Sequence, residues 1–381
     1  MIRSVCAAAG AISLSETPRE SETKSAPETS FGLARRVYHK LLLMPRLPSS
    51  LRYIQSDYAT VFMMHRFRDG EPGATGVDVT QLRKSLAYLR KNAYELISLE
   101  ELMRRLDGRG PRLRGAVAFT VDDGYLDQAE LGAPVFAEFD CPVTTFVTTG
   151  FLDGTLWLWW DKIEYIFERT RRSSLAVQLG ETTLRYDLDT EFSPAASCAD
   201  FVERCKSVPD AEKHLAISRL AEEANVDLPD GAPAKYAPMT WEHVRRCEEQ
   251  TMAFGAHTVS HPILSQAQPE KARTEIEESW RRVREEARNP VPIFCYPSGR
   301  VDDFGAREIE TLERLGFLGA LSAEAGFADP LSFQRGPQRR FEISRMPFPE
   351  DLSVIAQYAG GIERFKQSVR RRKGRHGASL R

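Results

Sequence analysis

The stretch Gly115-Ala116-Val117-Ala118-Phe119-Thr120-Val121-Asp122-Asp123-Gly124 is an apolar run that stops on two adjacent carboxylates. Its first seven residues read as a buried β-strand. The Asp-Asp-Gly that follows reads as an ordinary turn or as a functional strand end. Two carboxylates at the edge of a core are costly to place without a compensating cation. In parallel α/β architectures, the C-terminal ends of strands carry the active site.

The chain on either side has the same rhythm. Val61-Phe62-Met63-Met64-His65 is a short buried strand, and residues 143–147, 252–256, 292–296 and 319–321 read likewise. Between them, residues 79–92 place Leu82, Leu86 and Leu89 at helical spacing. Ser98 reads as a helix N-cap, with Glu101 completing a capping box and Leu102 and Leu106 on one face. Residues 270–288 form a long charged helix that stops before Asn289-Pro290, and 306–314 form another. Alternating strands and helices predict an α/β chain with a largely parallel sheet or barrel. Residues 157–238 break the rhythm and read as a mostly helical insertion in a βα connection, with a hairpin over 175–188. No internal repeat is visible.

Composition narrows the function. The 381 residues suggest two domains or one large one. Lys and Arg number 52 against 54 Asp and Glu, so 52 − 54 = −2, and binding of nucleic acid by the whole surface is not expected. A hydrophobic share of 42% excludes wholesale disorder, and no apolar run approaches the roughly 20 residues of a membrane span. Six cysteines without a CxxC pair exclude a zinc ribbon and a disulfide scaffold, and suit buried thiols. Residues 1–30 read as a disordered leader, and residues 3–10 faintly resemble a signal peptide. Residues 361–381 form a basic tail, read as solvated, with peripheral contact to an anionic membrane as the alternative. The main domain is then residues 31–360. A cytoplasmic location is the default, with export by an atypical leader as the alternative.

A second chemical segment is His257-Thr258-Val259-Ser260-His261, again just beyond an apolar strand. In a helical turn, imidazoles four residues apart share one face and suit a divalent metal. Otherwise one histidine caps a helix and the other packs beside Pro262. The third segment, Phe294-Cys295-Tyr296-Pro297-Ser298-Gly299-Arg300, is a strand closing into a Pro/Gly turn.

In this order on α/β strands, TVDDG, HTVSH and FCYPSG resemble the motifs of the polysaccharide deacetylase family, also called carbohydrate esterase family four or the nodulation-protein homology fold. The resemblance spans about residues 57–350. It implies a distorted (β/α) barrel that removes acetyl groups from an N-acetylated glycan with a divalent metal. Carried over by position, Asp122 is the general base and Asp123, His257 and His261 are the metal ligands. A backbone N–H at Tyr296 would be the oxyanion donor. Zinc suits such ligands best, with cobalt, manganese and nickel as alternatives.

The sequence departs from the family where a late Leu-x-His motif commonly supplies the acid. Here that strand reads Phe341-Glu342-Ile343-Ser344-Arg345-Met346-Pro347, and the one histidine after His261 is His376 in the tail. His65, at the end of the first strand, is the candidate acid, resembling the biofilm poly-N-acetylglucosamine deacetylase branch. A structural histidine is the alternative reading. Arg345 either pairs with Asp122 and lowers its pKa or is a surface arginine. Trp157, Trp159 and Trp160 form either a glycan-stacking wall or packing between insertion and barrel. Two other functions fit the same residues: a deformylase of a lipid-linked or nucleotide sugar, and a glycan-binding module without proton donation.

Overall fold

Seven apolar runs form parallel strands: β1 (Ala59–Met64), β2 (Ala116–Asp123), β3 (Val143–Val147), β4 (Met252–Ala256), β5 (Pro290–Cys295), β6 (Gly319–Ala325) and β7 (Ile343–Pro347). The computed structural model describes residues 57–366 except 71–74 and 191–192. The expected leader, its export-like segment and the basic run from Val369 to Arg375 lie outside the described residues.

Each strand pairs in parallel with the next, and β7 pairs back on β1, so the sheet closes. Closure is uneven. β1 and β7 share only the pairs Phe62↔Met346 and Met63↔Pro347. The register also slips between Phe254 and Ala256 on β4 and between Leu321 and Ala325 on β6. The result is a distorted (β/α) barrel.

Alternation along the strands divides the core in two. Ala116 and Ala118 of β2 join Val61, Phe146, Ile293, Cys295, Leu321 and Ile343 in one cluster inside the barrel. Val117, Phe119 and Val121 belong to the outer cluster, packed under helices that include α1 (Val79–Lys91). Helix α2 (Leu99–Leu106) adds Leu99, Leu102, Met103 and Leu106 to the inner cluster. Its N-cap is Ser98, whose hydroxyl accepts from Glu101 N at 3.2 Å. The reciprocal half of the expected capping box gives way to ion pairs, because the Glu101 carboxylate is taken by Arg104 and Arg105.

The insertion lies between β3 and β4. It consists of α3 (Trp159–Arg169), a hairpin of Ser174–Leu179 and Thr182–Asp187, α4 (Ser193–Cys205) and α5 (Asp210–Ala224). It has its own apolar cluster, including Ile163, Phe167, Val177, Phe201 and Leu220. After it come α6 (Trp241–Glu248) and the barrel helices α7 (Pro269–Glu286) and α8 (Ala306–Arg314). The five cysteines among the described residues are buried. No helix among them is long and apolar enough to cross a membrane.

One buried carboxylate fastens the insertion to the barrel. Asp210 accepts from Lys213 Nζ of its own helix at 2.6 Å and from Lys271 Nζ of α7 at 2.5 Å. Burial alone would raise the Asp210 pKa, but the two ammonium groups outweigh it and hold it at about 2, against an ordinary 3.8. Stability from this pairing is therefore full above about pH 4 and lost as the pH falls toward 2. Asp210→Asn should cost about 3 kcal/mol at pH 7. In urea unfolding, its deficit against the wild type should narrow at pH 3, and a deficit independent of pH would contradict the assignment.

Candidate active site

Period two along β2 places Asp122 inside the barrel with Ala116, Ala118 and Thr120, and would send Asp123 to the opposite face. The backbone prevents that divergence. Asp123 has φ +85° and Gly124 φ +98°, so the strand ends in two left-handed residues. The positive φ at Gly124 favours glycine, and a Cβ there would lie 2.5 Å from Leu152 Cδ1, so that side chain would have to shift. Both carboxylates thus serve one site at the end of the strand, and both are buried.

Asp122 faces Arg345 across the interior. Arg345 Nη1 donates to Asp122 Oδ1 at 2.8 Å and to Thr120 Oγ1 at 3.1 Å, and its Nε donates to Ser322 O at 2.9 Å. With 1% exposure, Arg345 is not a surface residue. Burial pushes the Asp122 carboxyl up, but Arg345, His257 and His65 outweigh it and hold it at about 2. The other oxygen, Oδ2, has Cys295 Sγ at 3.6 Å and His65 Nε2 at 3.9 Å. Burial lowers the His65 pKa, with Asp122 opposing, so the ring is neutral near pH 7; its side chain is 32% exposed.

The two histidines of HTVSH meet without a helix. Residues 257–263 are a loop in which Thr258 (φ +67°) and His261 (φ +56°) are left-handed. The expectation of a helical turn is corrected here: the loop folds back on itself, and its backbone N–H groups are met by side chains. Glu275 of α7 accepts from Val259 N and Ser260 N, both at 2.8 Å, and from Ser260 Oγ at 2.5 Å. Thr258 Oγ1 accepts from His261 N at 3.0 Å. Gly150 N donates to Val259 O at 2.9 Å, an approach that a Cβ on Gly150 would close to 2.7 Å.

His257 Nε2 and His261 Nε2 then lie 3.7 and 3.5 Å from Asp123 Oδ1. His257 Nδ1 lies 2.7 Å from Cys295 O and donates to it, which leaves Nε2 as a lone-pair donor. Burial lowers His257 to about 4 and His261 well below its ordinary value, so both rings are neutral. Burial, Asp122 and Asp161 push the Asp123 carboxyl well up. A carboxyl so placed takes its charge readily only beside a cation. Two neutral imidazoles and this carboxylate, their ligand atoms within 4.8 Å of one another, fit a divalent metal.

Three expected site residues, Tyr296, Trp157 and Trp159, are engaged in the fold instead. The backbone N–H of Tyr296 donates to Leu321 O at 3.2 Å within the sheet, so it is engaged and not available as an oxyanion donor. Its ring stacks on Phe304 at 3.8 Å in the outer core. Trp157 and Trp159 are each 3% exposed and pack the insertion, so neither presents a face to a sugar. Trp160 alone of the three is part-exposed, and its ring lies 4.5 Å from that of His261. Sequence reasoning missed Glu275 and Gln128. The Gln128 amide donates to both His65 O and Asp122 O. Neither residue carries a local signal, because each acts on a distant loop or strand.

Arg345→Met should lower stability by about 3–5 kcal/mol, since it leaves Asp122 buried and unpaired. Asp122→Leu combined with Arg345→Met should recover most of that loss in urea unfolding, because both charges are then removed. A single variant as stable as the wild type would refute the pairing.

The polysaccharide deacetylase family model matches residues 218–317, a segment that contains His257, Glu275 and His261. No curated protein sequence matches the chain significantly. Among solved structures, the Streptococcus pyogenes deacetylase PplD, determined in complex with acetate, aligns at 17% identity over 78% of this chain and 95% of its own, with a TM-score of 0.50. IcaB from Ammonifex degensii aligns at 16% identity over 80% and 98%, with a TM-score of 0.47. The BpsB deacetylase domain from Bordetella bronchiseptica aligns at 14% over 77% and 97%, with a TM-score of 0.45. The segment of the chain similar to the polysaccharide deacetylase family model thus carries both histidines, and the likeness to PplD shows a shared fold.

Proposed function

We propose that the chain is a metal-dependent amidohydrolase that removes N-acetyl groups from an amino-sugar glycan. The observation that carries this reading is the meeting of Asp123, His257 and His261 beside a second carboxylate, Asp122, held ionised by Arg345. Zinc suits the donor set best, and cobalt, manganese and nickel are compatible with it. When bound, such a metal polarises the acetyl carbonyl, stabilises the developing oxyanion and acidifies water.

The protein's own groups handle the protons. Asp122 Oδ1 is occupied by Arg345, so Oδ2 is the atom that accepts a proton from the attacking water. The water oxygen bonds to the acetyl carbon, the C–N bond breaks, and the amine must leave protonated. His65 Nε2 lies 3.9 Å from Asp122 Oδ2, on a part-exposed ring that substrate can reach. Because burial keeps His65 neutral, the proton it delivers to the amine is one received from Asp122 during the reaction. The products are acetate and the free amino sugar.

The decisive assay is acetate release from N-acetylglucosamine oligomers by the purified protein, after chelation and after adding back zinc or cobalt. Release should stop on chelation and return with metal. Asp122→Asn should abolish turnover with metal content largely intact, whereas His257→Ala and His261→Ala should lose both. His65→Ala should lower kcat by about 10²–10⁴-fold with little effect on metal content. Unchanged metal content in both ligand variants would refute the ligand set, and full activity of His65→Ala would refute the proton donor.

A further inference from the structure

The two metal-ligating imidazoles are oriented by different means. The His257 ring is fixed by its Nδ1–H bond to Cys295 O at 2.7 Å. His261 has no such tether to another residue: its Nδ1 is buried with no hydrogen-bond partner on any other described residue. Its ring is instead held between two neighbours, with ring centroids 4.8 Å away at His257 and 4.5 Å away at Trp160, both edge-to-face. Trp160 belongs to α3 of the insertion, so packing from outside the barrel does for His261 what a carbonyl does for His257.

Trp160 is itself held by a polar chain. Its Nε1–H donates to Tyr125 Oη at 3.0 Å, and Tyr125 Oη–H donates to Asp161 Oδ2 at 2.7 Å. The phenol gives its one proton to Asp161 and so faces the indole as an acceptor. Tyr125 directly follows Asp122-Asp123-Gly124, and the Arg66 guanidinium covers its ring at 4.0 Å. The indole is thereby tied to the strand end that carries Asp123. Asp161, 3% exposed, lies beside Trp160 on the insertion and closes the chain.

We propose that Trp160, fixed by Tyr125 and Asp161, is a positioning residue that holds His261 in its ligating orientation, so that the insertion is a working part of the metal site. This rests on the metal-dependent reading above. Packing replaces the hydrogen bond that usually orients a ligating histidine, and loss of such an orienting partner typically weakens metal binding by about 10–100-fold.

The test is cobalt(II) binding to the full-length protein, read as Kd by equilibrium dialysis and as the visible absorption spectrum of the bound ion. Trp160→Ala should raise Kd by about 10–100-fold and change the spectrum. Trp160→Phe keeps a ring but loses the N–H, and Tyr125→Phe loses the hydroxyl that receives it. Both should raise Kd by less, and both keep the test decisive if the alanine variant does not fold. Trp157→Phe, whose ring packs on Tyr165 and Tyr236, should leave Kd and spectrum unchanged. Wild-type Kd and spectrum in the Trp160 and Tyr125 variants would overturn the proposal and leave the metal reading standing. Failure of the wild type to bind metal would remove both.

Discussion

Arg345 is the largest side chain fully buried among the described residues, and it is charged. Enclosing a guanidinium and a carboxylate carries a penalty of several kcal/mol per ion unless each finds close partners. The interior provides them: Asp122 and Thr120 from β2, and Ser322 O from β6. This pairing constrains the rest of the site. Asp122 must stay ionised, because neutralising it would strand the guanidinium. With one carboxylate committed to one cation, Asp123 is left as a second buried carboxyl between two neutral imidazoles. The enclosed groups then sum to one negative charge when Asp123 is ionised, and a divalent cation would turn that sum to one positive. In the proposed reaction, a site with that surplus would favour a negatively charged transition state over a neutral amide.

Much of the frame was legible from local pattern. Residues 143–147, 252–256 and 306–314 form elements with the bounds that periodicity indicates, because apolar alternation and helical spacing are local properties. Asp122 and the two histidines stood out for a similar reason: polar residues at the ends of apolar strands need an explanation. What could not be read was anything set by backbone sign or by distant partners. The His257–His261 spacing suits a helix, yet a loop with two left-handed residues joins them, held by Glu275 from another element. Tyr296 occupied a plausible motif position, but whether its N–H was free depended on the register of β6. Arg345 could not be told from a surface arginine until closure of the barrel set it opposite Asp122.

The insertion shows the same division. Its helices and hairpin were visible as a break in rhythm, and the tryptophans were visible as a cluster. Which of the three lie near the ligands follows from packing alone. Trp157 joins a cluster with Tyr125 and Tyr236, and Trp159 joins the insertion's own core, while Trp160 contacts His261. Asp210 anchors α5 to α7, the helix whose Glu275 holds the histidine loop. The insertion and the ligand loop therefore share one support, and strain on one would be felt by the other.

Closure of the barrel in chain order is also consistent with the proposed proton donor just beyond β1. β1 lies between β2 and β7, so a residue just beyond its end is adjacent to the ends of both. In this chain β7 contributes Arg345 to the interior, where its guanidinium donates to Asp122 Oδ1. The donor proposed for the same carboxylate comes from the end of the neighbouring strand. His65 directly follows β1, and its backbone carbonyl shares the Gln128 amide with that of Asp122. The two groups that would pass the proton are thus held by one side chain. With Oδ1 bonded to Arg345, the proposed proton transfer from Asp122 would run through Oδ2, where the His65 imidazole lies 3.9 Å away.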